Sequence, residues 1–348
     1  MTIPSELPRS DELLMQPRRS RIGRLMGVQA IGMGSAVAGK LVRNEDLAEL
    51  GYDADWIVQR TGIHERRHAT EDVATSDLAV EAAERCIESA GVDRRDIDLV
   101  LLGTYTPDVL MPATACLIQD RLGVRAPAID LQAACASFVF SMITGAQYVA
   151  TGCSRLALVI GADCTSRVLD PADERTYPLF GDAAGAVLLA AGSEGQGLLS
   201  YAVGSDGSGA KLLYRPMGGS REPFSQHADS LGRHFMQMEG RPIFKWVVRM
   251  LRETCHEVLE AADLTLQQVN LFIFHQANLR IISSAVDDMG IDPSRVFNNL
   301  QRYGNTSSAS IPLALDEAYR QGRIERGDLV LFSGFGGGLT WGTALMRW

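Results

Sequence analysis

A cysteine, a histidine and an asparagine in this chain sit where thiol attack, proton donation and polarisation of a carbonyl become possible. Cys135 stands in Ala-Ile-Asp-Leu-Gln-Ala-Ala-Cys-Ala-Ser-Phe, where a short apolar run gives way to a longer one. The spacing predicts a buried strand over Ala128–Leu131 and an apolar helix over 136–151. A thiol at that junction faces the unpaired N–H groups and positive end of the helix, which lowers its pKa and favours the nucleophilic thiolate. The chemistry this predicts is acyl transfer through a cysteine thioester.

His275 directly follows the strand-like run Leu271–Phe274 and is a candidate base or hydrogen-bond donor. Asn305 lies in Tyr-Gly-Asn-Thr-Ser-Ser-Ala-Ser-Ile-Pro, just before a helix-like run. There it is either a turn residue or an amide donor aimed at an oxyanion. The stretch Gly334-Phe335-Gly336-Gly337-Gly338-Leu339-Thr340-Trp341-Gly342 follows another strand. Its glycines either bring backbone N–H groups close to a ligand or make a tight turn. It lacks the Gly-Lys-Ser/Thr ending of a phosphate loop.

These residues must be positioned by an α/β framework, and the chain reads as a duplication of one. The helix end and buried strand at 87–102 reappear at 259–274, 172 residues on, and 157–161 maps onto 329–333 in the same register. That offset sets Cys135 opposite Ser307, at the head of the helix-like run 308–319, and His275 opposite Gly103. Two equivalent helices would then point their N-termini at one cleft, and the candidate residues would lie at strand ends, where α/β sheets bind ligands. The expected division is an N-terminal extension over 1–24, a half over 25–196 and a half over 197–348, with the join in the Gly-rich stretch 192–197.

At 348 residues, 46% hydrophobic and 22% charged, the chain has the composition of a soluble globular protein. Its net charge of −9 argues against nonspecific nucleic-acid binding. No apolar run is long enough to predict a membrane span. The first 25 or so residues are polar, without the apolar core of a signal peptide. The six cysteines show no C-x-x-C pair or zinc spacing, so no metal site is expected. All but Cys135 are expected to be reduced and buried, which fits a cytoplasmic protein.

Together Ala-Ala-Cys-Ala-Ser-Phe, His-Gln-Ala-Asn-Leu-Arg, Gly-Asn-Thr-Ser-Ser-Ala-Ser-Ile-Pro and Gly-Gly-Gly-Leu-Thr-Trp-Gly, in that order, resemble the signatures of the beta-ketoacyl-acyl-carrier-protein synthase III family of thiolase-like condensing enzymes. The resemblance runs from about Arg24 to Trp348. It implies a thiolase-like duplicated βα fold, layered αβαβα. It also implies that acyl-coenzyme A primes Cys135, with the N–H groups of Cys135 and Gly337 as the oxyanion hole. His275 and Asn305 would then polarise malonyl-acyl carrier protein for decarboxylative Claisen condensation, giving beta-ketoacyl-acyl carrier protein and CO2 at the start of fatty acid biosynthesis. No cofactor is implied beyond the coenzyme A thioester, which is substrate. A homodimer is implied.

By the same resemblance Trp56, Arg60, Arg167, Gly240, Phe244 and Asn278 match coenzyme A contacts. Met111 falls where the family closes a partner's acyl pocket, and a flexible Met there would admit primers longer than acetyl. Arg241, Lys245, Arg249 and Arg252 recur at helical spacing. Of these, Lys245 and Arg249, with Arg280, are the candidates for docking an acidic carrier protein. Asp287 and Asp288 depart from the family pattern, as do the extension and the long segment 211–233. They keep open a specialised-metabolism, polyketide-type relative with another primer or acceptor. A thiol hydrolase is the more distant alternative.

Overall fold

The computed structural model describes residues 20–226 and 232–348. Residues 1–19 of the expected extension, and 227–231 of the long segment, lie outside them. In the first half, strands β1 (Arg21–Met26) and β2 (Val28–Val37) precede a hairpin of β3 (Lys40–Arg43) and β4 (Glu65–His68) that encloses helix α1 (Ala54–Thr61). Then come α2 (Thr75–Ala90), β5 (Leu99–Gly103), α3 (Thr114–Arg121), β6 (Ala128–Leu131), α4 (Ser137–Ala150), β7 (Leu156–Asp163) and β8 (Ala183–Ala191). The second half has β9 (Gly197–Ser205), the short pair β10 (Leu213–Tyr214) and β11 (Gln237–Met238), α5 (Gly240–Ala261) and β12 (Leu271–Phe274). It ends with α6 (Leu279–Met289), α7 (Leu300–Tyr303), α8 (Ser310–Arg320), β13 (Leu329–Gly336) and β14 (Thr340–Arg347).

Two five-stranded mixed sheets result, ordered β2-β8-β7-β5-β6 and β1-β9-β14-β13-β12. The duplicated units superpose in kind: β2, α2, β5, α4, β7 and β8 have β9, α5, β12, α8, β13 and β14 as counterparts. The partner of β6 is reduced to a single parallel bridge between Phe272 and Val296. The second sheet regains a fifth strand at its other edge from β1, which pairs antiparallel with β9. Residues 21–24 are therefore sheet rather than extension. Gly27, at φ 74°, turns β1 into β2, and its N–H donates to the Gln196 carbonyl in the turn joining the two sheets.

Strand alternation sorts side chains into layers. Leu99, Leu101, Val159 and Val187 of the first sheet, with Ile273, Val330 and Phe332 of the second, face a shared middle layer. That layer is filled by Phe138, Val139, Met142 and Ile143 of α4 and by Ile311, Ala314 and Leu315 of α8. The alternate residues Val100, Leu102, Leu158 and Ile160 meet α2 and α3 on one outer face. Phe272, Phe274, Leu331 and Leu345 meet α5 and α6 on the other. The order is αβαβα. Because α4 is covered from both sides, its sequence SFVFSMITGAQYVA is apolar around most of its girth.

β6 departs from expectation. It is an edge strand, half-buried rather than buried, with Ile129 exposed. Cys116 and Cys153 are exposed, whereas Cys86, Cys164 and Cys255 are buried thiols.

Candidate active site

The chain reaches Cys135 through a constrained turn. Ala134 sits at φ 47°, a left-handed conformation uncommon for a residue with a side chain. The Ser137 hydroxyl holds that turn, accepting from the Ala133 N–H at 2.8 Å and donating to the Ala134 carbonyl at 2.5 Å. Helix α4 begins two residues after the nucleophile. On the other side β13 lies so close that a side chain at Gly336 would come within 2.6 Å of the Cys135 nitrogen. The next residue, Gly337, lines the same cavity as Cys135.

That cavity has a volume of about 1170 Å³, and Tyr105, Val109, Leu110, Leu213 and Phe224 help to wall it. The segment containing β10 thus covers the nucleophile. Met111, read as an acyl-pocket residue, is 86% exposed and does not line the cavity, whereas its neighbour Leu110 does.

His275 and Asn305 are both buried. The His275 N–H donates to Ser333 on β13, and the ring meets Phe335 edge-on at 4.9 Å. Its Nδ1 has no hydrogen-bond partner among the described residues. Next to it the Gln276 N–H donates to Ser310 Oγ at the start of α8. The Asn305 backbone is clamped between Leu179 and Gly181, and its Oδ1 accepts the Ser307 N–H at 2.9 Å. Ser307 Oγ in turn donates to Cys135 Sγ at 3.3 Å. The duplication offset thus becomes a contact: the equivalent positions 135 and 307 touch.

Burial dominates the electrostatics. It pushes the Cys135 thiol up to about 12, with the Ser307 hydrogen bond opposing and the Asp163 carboxyl adding to the rise. The expectation of a lowered thiol pKa is overturned, because burial dominates. Burial also pushes His275 down to about 3, so its imidazole is neutral at physiological pH.

The coenzyme A candidates divide. Trp56 on α1 is 40% exposed, with the Arg60 guanidinium 5.9 Å from its ring centroid. Asn278 Nδ2 donates to the Arg60 carbonyl at 3.2 Å, joining α1 to the start of α6. Arg167 lines the cavity and donates to the Thr70 and Val73 carbonyls. Gly240 opens α5, and Phe244 packs half-buried on the outer core. Of the carrier-protein docking candidates, Lys245 and Arg280 are exposed, while Arg249 lies 3.5 Å from Glu253. Arg252 pairs with Asp288 at 3.2 Å, so the unexpected acid neutralises part of the basic stripe.

Sequence reasoning missed three residues. Asp163 ends β7 and accepts from Thr104, Tyr105 and Thr106 as well as Ser308. Ser307 appeared only as the counterpart of Cys135. Arg66 is fully buried and donates to the Pro178 carbonyl, bracing the 178–181 segment against which Asn305 pairs. The acid closing a buried strand was the one available signal for Asp163.

A cysteine on a strand-to-helix turn, faced by groups from the duplicated half across a shared helical layer, defines a thiolase-like condensing enzyme. Residues 129–207 match the family 3-oxoacyl-[acyl-carrier-protein (ACP)] synthase III, and 259–348 match its C-terminal counterpart. The beta-ketoacyl-[acyl-carrier-protein] synthase III of Rhodopirellula baltica is 52% identical over 94% of this chain and 100% of its own length. The crystal structure of the synthase III from Thermus thermophilus superposes with a TM-score of 0.86 at 41% identity, over 92% of this chain and 99% of that one. The priming beta-ketosynthase of the R1128 polyketide pathway gives 0.86 at 35% identity, over 94% and 98%. The chain belongs to the beta-ketoacyl-acyl-carrier-protein synthase III family, acyltransferases that initiate fatty acid synthesis. Among the described residues, no helix is long and apolar enough to cross a membrane.

Proposed function

We propose that Cys135, His275 and Asn305 divide the reaction between two half-steps. Cys135 sulfur attacks the thioester carbonyl of an acyl-coenzyme A, and coenzyme A leaves carrying the thiol proton. The N–H groups of Cys135 and Gly337 hold the oxyanion, and Trp56, Arg60, Arg167, Gly240, Phe244 and Asn278 hold the coenzyme. Malonyl-acyl carrier protein then enters, docked on Lys245, Arg249 and Arg280. Its carboxylate departs as CO2, and the electron pair passes into an enolate stabilised by Asn305 Nδ2 and a His275 ring N–H. The enolate carbon attacks the acyl carbonyl, the C–S bond breaks with its electron pair returning to sulfur, beta-ketoacyl-acyl carrier protein leaves, and the Cys135 thiolate takes up a proton from solvent. The unpartnered Nδ1 favours the proton on Nε2, which makes that nitrogen the donor.

The observation that carries this reading is the Asn305 amide. Its oxygen is occupied by the Ser307 N–H, so its NH2 end is the one left for substrate. In a cytoplasmic homodimer, Met111 of each subunit would close the other's acyl pocket. The likeness to a polyketide priming synthase favours, as a second reading, an unusual primer or acceptor.

Intact mass after incubation with a panel of acyl-coenzyme A thioesters, then malonyl-acyl carrier protein, tests both. A gain of one acyl group, absent in Cys135→Ala and discharged as beta-ketoacyl product, supports the first reading and identifies the primer. An acyl-enzyme that malonyl-acyl carrier protein does not discharge supports the second. No acylation by any thioester removes the mechanism.

A further inference from the structure

Ser307 stands between the two half-steps. It is buried, and at φ 52° it occupies the left-handed region, a strain that persists only where the surroundings enforce it. Its N–H is committed to Asn305 Oδ1, and its hydroxyl lies 3.3 Å from Cys135 Sγ. The hydroxyl also reaches Asp163. That carboxylate already receives six hydrogen bonds, from Thr104, Tyr105, Thr106 and Ser308, which fill its roughly four lone-pair sites. The Ser307 proton is therefore directed to sulfur.

We propose that Ser307 is the residue that couples the nucleophile to the condensation donor, holding Cys135 sulfur with its hydroxyl and the Asn305 amide with its backbone N–H. This rests on the reading of Cys135 and Asn305 given above. The bond matters when sulfur is richest in electrons: as Cys135 attacks a thioester, and as the C–S bond breaks and the pair returns to sulfur. In the acyl-enzyme the thioester sulfur is a poor acceptor, and the bond from the hydroxyl weakens. One residue thus senses whether the nucleophile is loaded while keeping the amide fixed throughout.

Ser307→Gly separates the two bonds. It removes the hydroxyl, keeps the N–H to Asn305, and suits the positive φ. Ser307→Ala removes the same hydroxyl while retaining a side chain, and Asp163 and Tyr105 stay in place in both. The readout is the rate of iodoacetamide alkylation at Cys135 in the whole protein at pH 8, followed by peptide mass. The expected result is alkylation about tenfold slower at that pH in both variants. Decarboxylation of malonyl-acyl carrier protein, assigned above to Asn305 and His275, is expected to stay unchanged in Ser307→Gly while acylation slows. An unaltered alkylation rate in the glycine variant overturns the proposal. Equal loss of acylation and decarboxylation also overturns it, by showing a structural role alone. Alkylation reports on the thiol whether or not any acyl-coenzyme A is accepted, so a failure of the condensing mechanism is distinguishable.

Discussion

Asp163, at the end of β7 in the first half, accepts hydrogen bonds from both the backbone N–H and the hydroxyl of Ser308 in the second, the former at 3.0 Å. The segment carrying Asn305 and Ser307 is thereby tied to the sheet edge beside Cys135. Burial raises the pKa of this carboxyl, and its donors oppose the rise. Asp163→Ala would leave buried donors unpaired, and is expected to cost about 3 kcal/mol or more. Thermal unfolding should show a midpoint lower by several degrees. A Tm within a degree of the parent would show that the link between the halves is dispensable.

Acid is expected to weaken the fold through His275. Its folded pKa is about 3 against an ordinary 6.5, so between those values the unfolded chain binds a proton that the folded chain does not. Stability should fall as pH drops below about 6.5, at up to about 1.4 kcal/mol per unit from this group. Urea unfolding from pH 7 to 4 would show a shallower acid limb for His275→Gln than for the parent. Parallel limbs would refute the assignment.

Charge on α5 and α6 should affect one substrate only. In Lys245→Glu with Arg280→Glu, the KM for malonyl-acyl carrier protein is expected to rise about tenfold at low ionic strength, less at high salt, with acylation by acyl-coenzyme A unaffected. Arg252 should contribute little, because Asp288 already pairs with it. A salt-independent KM would place the docking face elsewhere.

Met111→Phe tests whether this exposed position takes part in primer selection. A rigid ring at this exposed position should shift preference towards the shortest acyl-coenzyme A thioesters. Acyl-enzyme masses after competition within an equimolar panel would report it. An identical distribution of acyl groups would separate Met111 from primer selection.

The parts of this architecture set by local pattern were legible in the sequence. The strand over Ala128–Leu131 stands where its apolar run placed it, and α4 runs one residue inside each expected end. The duplication offset survives as contact between Cys135 and Ser307. Properties set by distant partners were not legible. β1 carries Arg21, Gly23 and Arg24 among its apolar residues and becomes a strand by pairing with β9. Asp163 draws its importance from residues 57 to 145 positions away. The thiol was misjudged because a helix terminus is visible in sequence, whereas the depth of burial is not.

The shared middle layer gives the molecule an evolutionary lock. Each half contributes one helix to a seam it cannot fill alone, and β1 crosses over to complete the other half's sheet. Cleaving the chain at the turn between β8 and β9 would yield two fragments with mutually dependent greasy faces. Such fragments should regain a nucleophile and its partners only by reassembling, so the gene cannot shed either copy and keep half an enzyme.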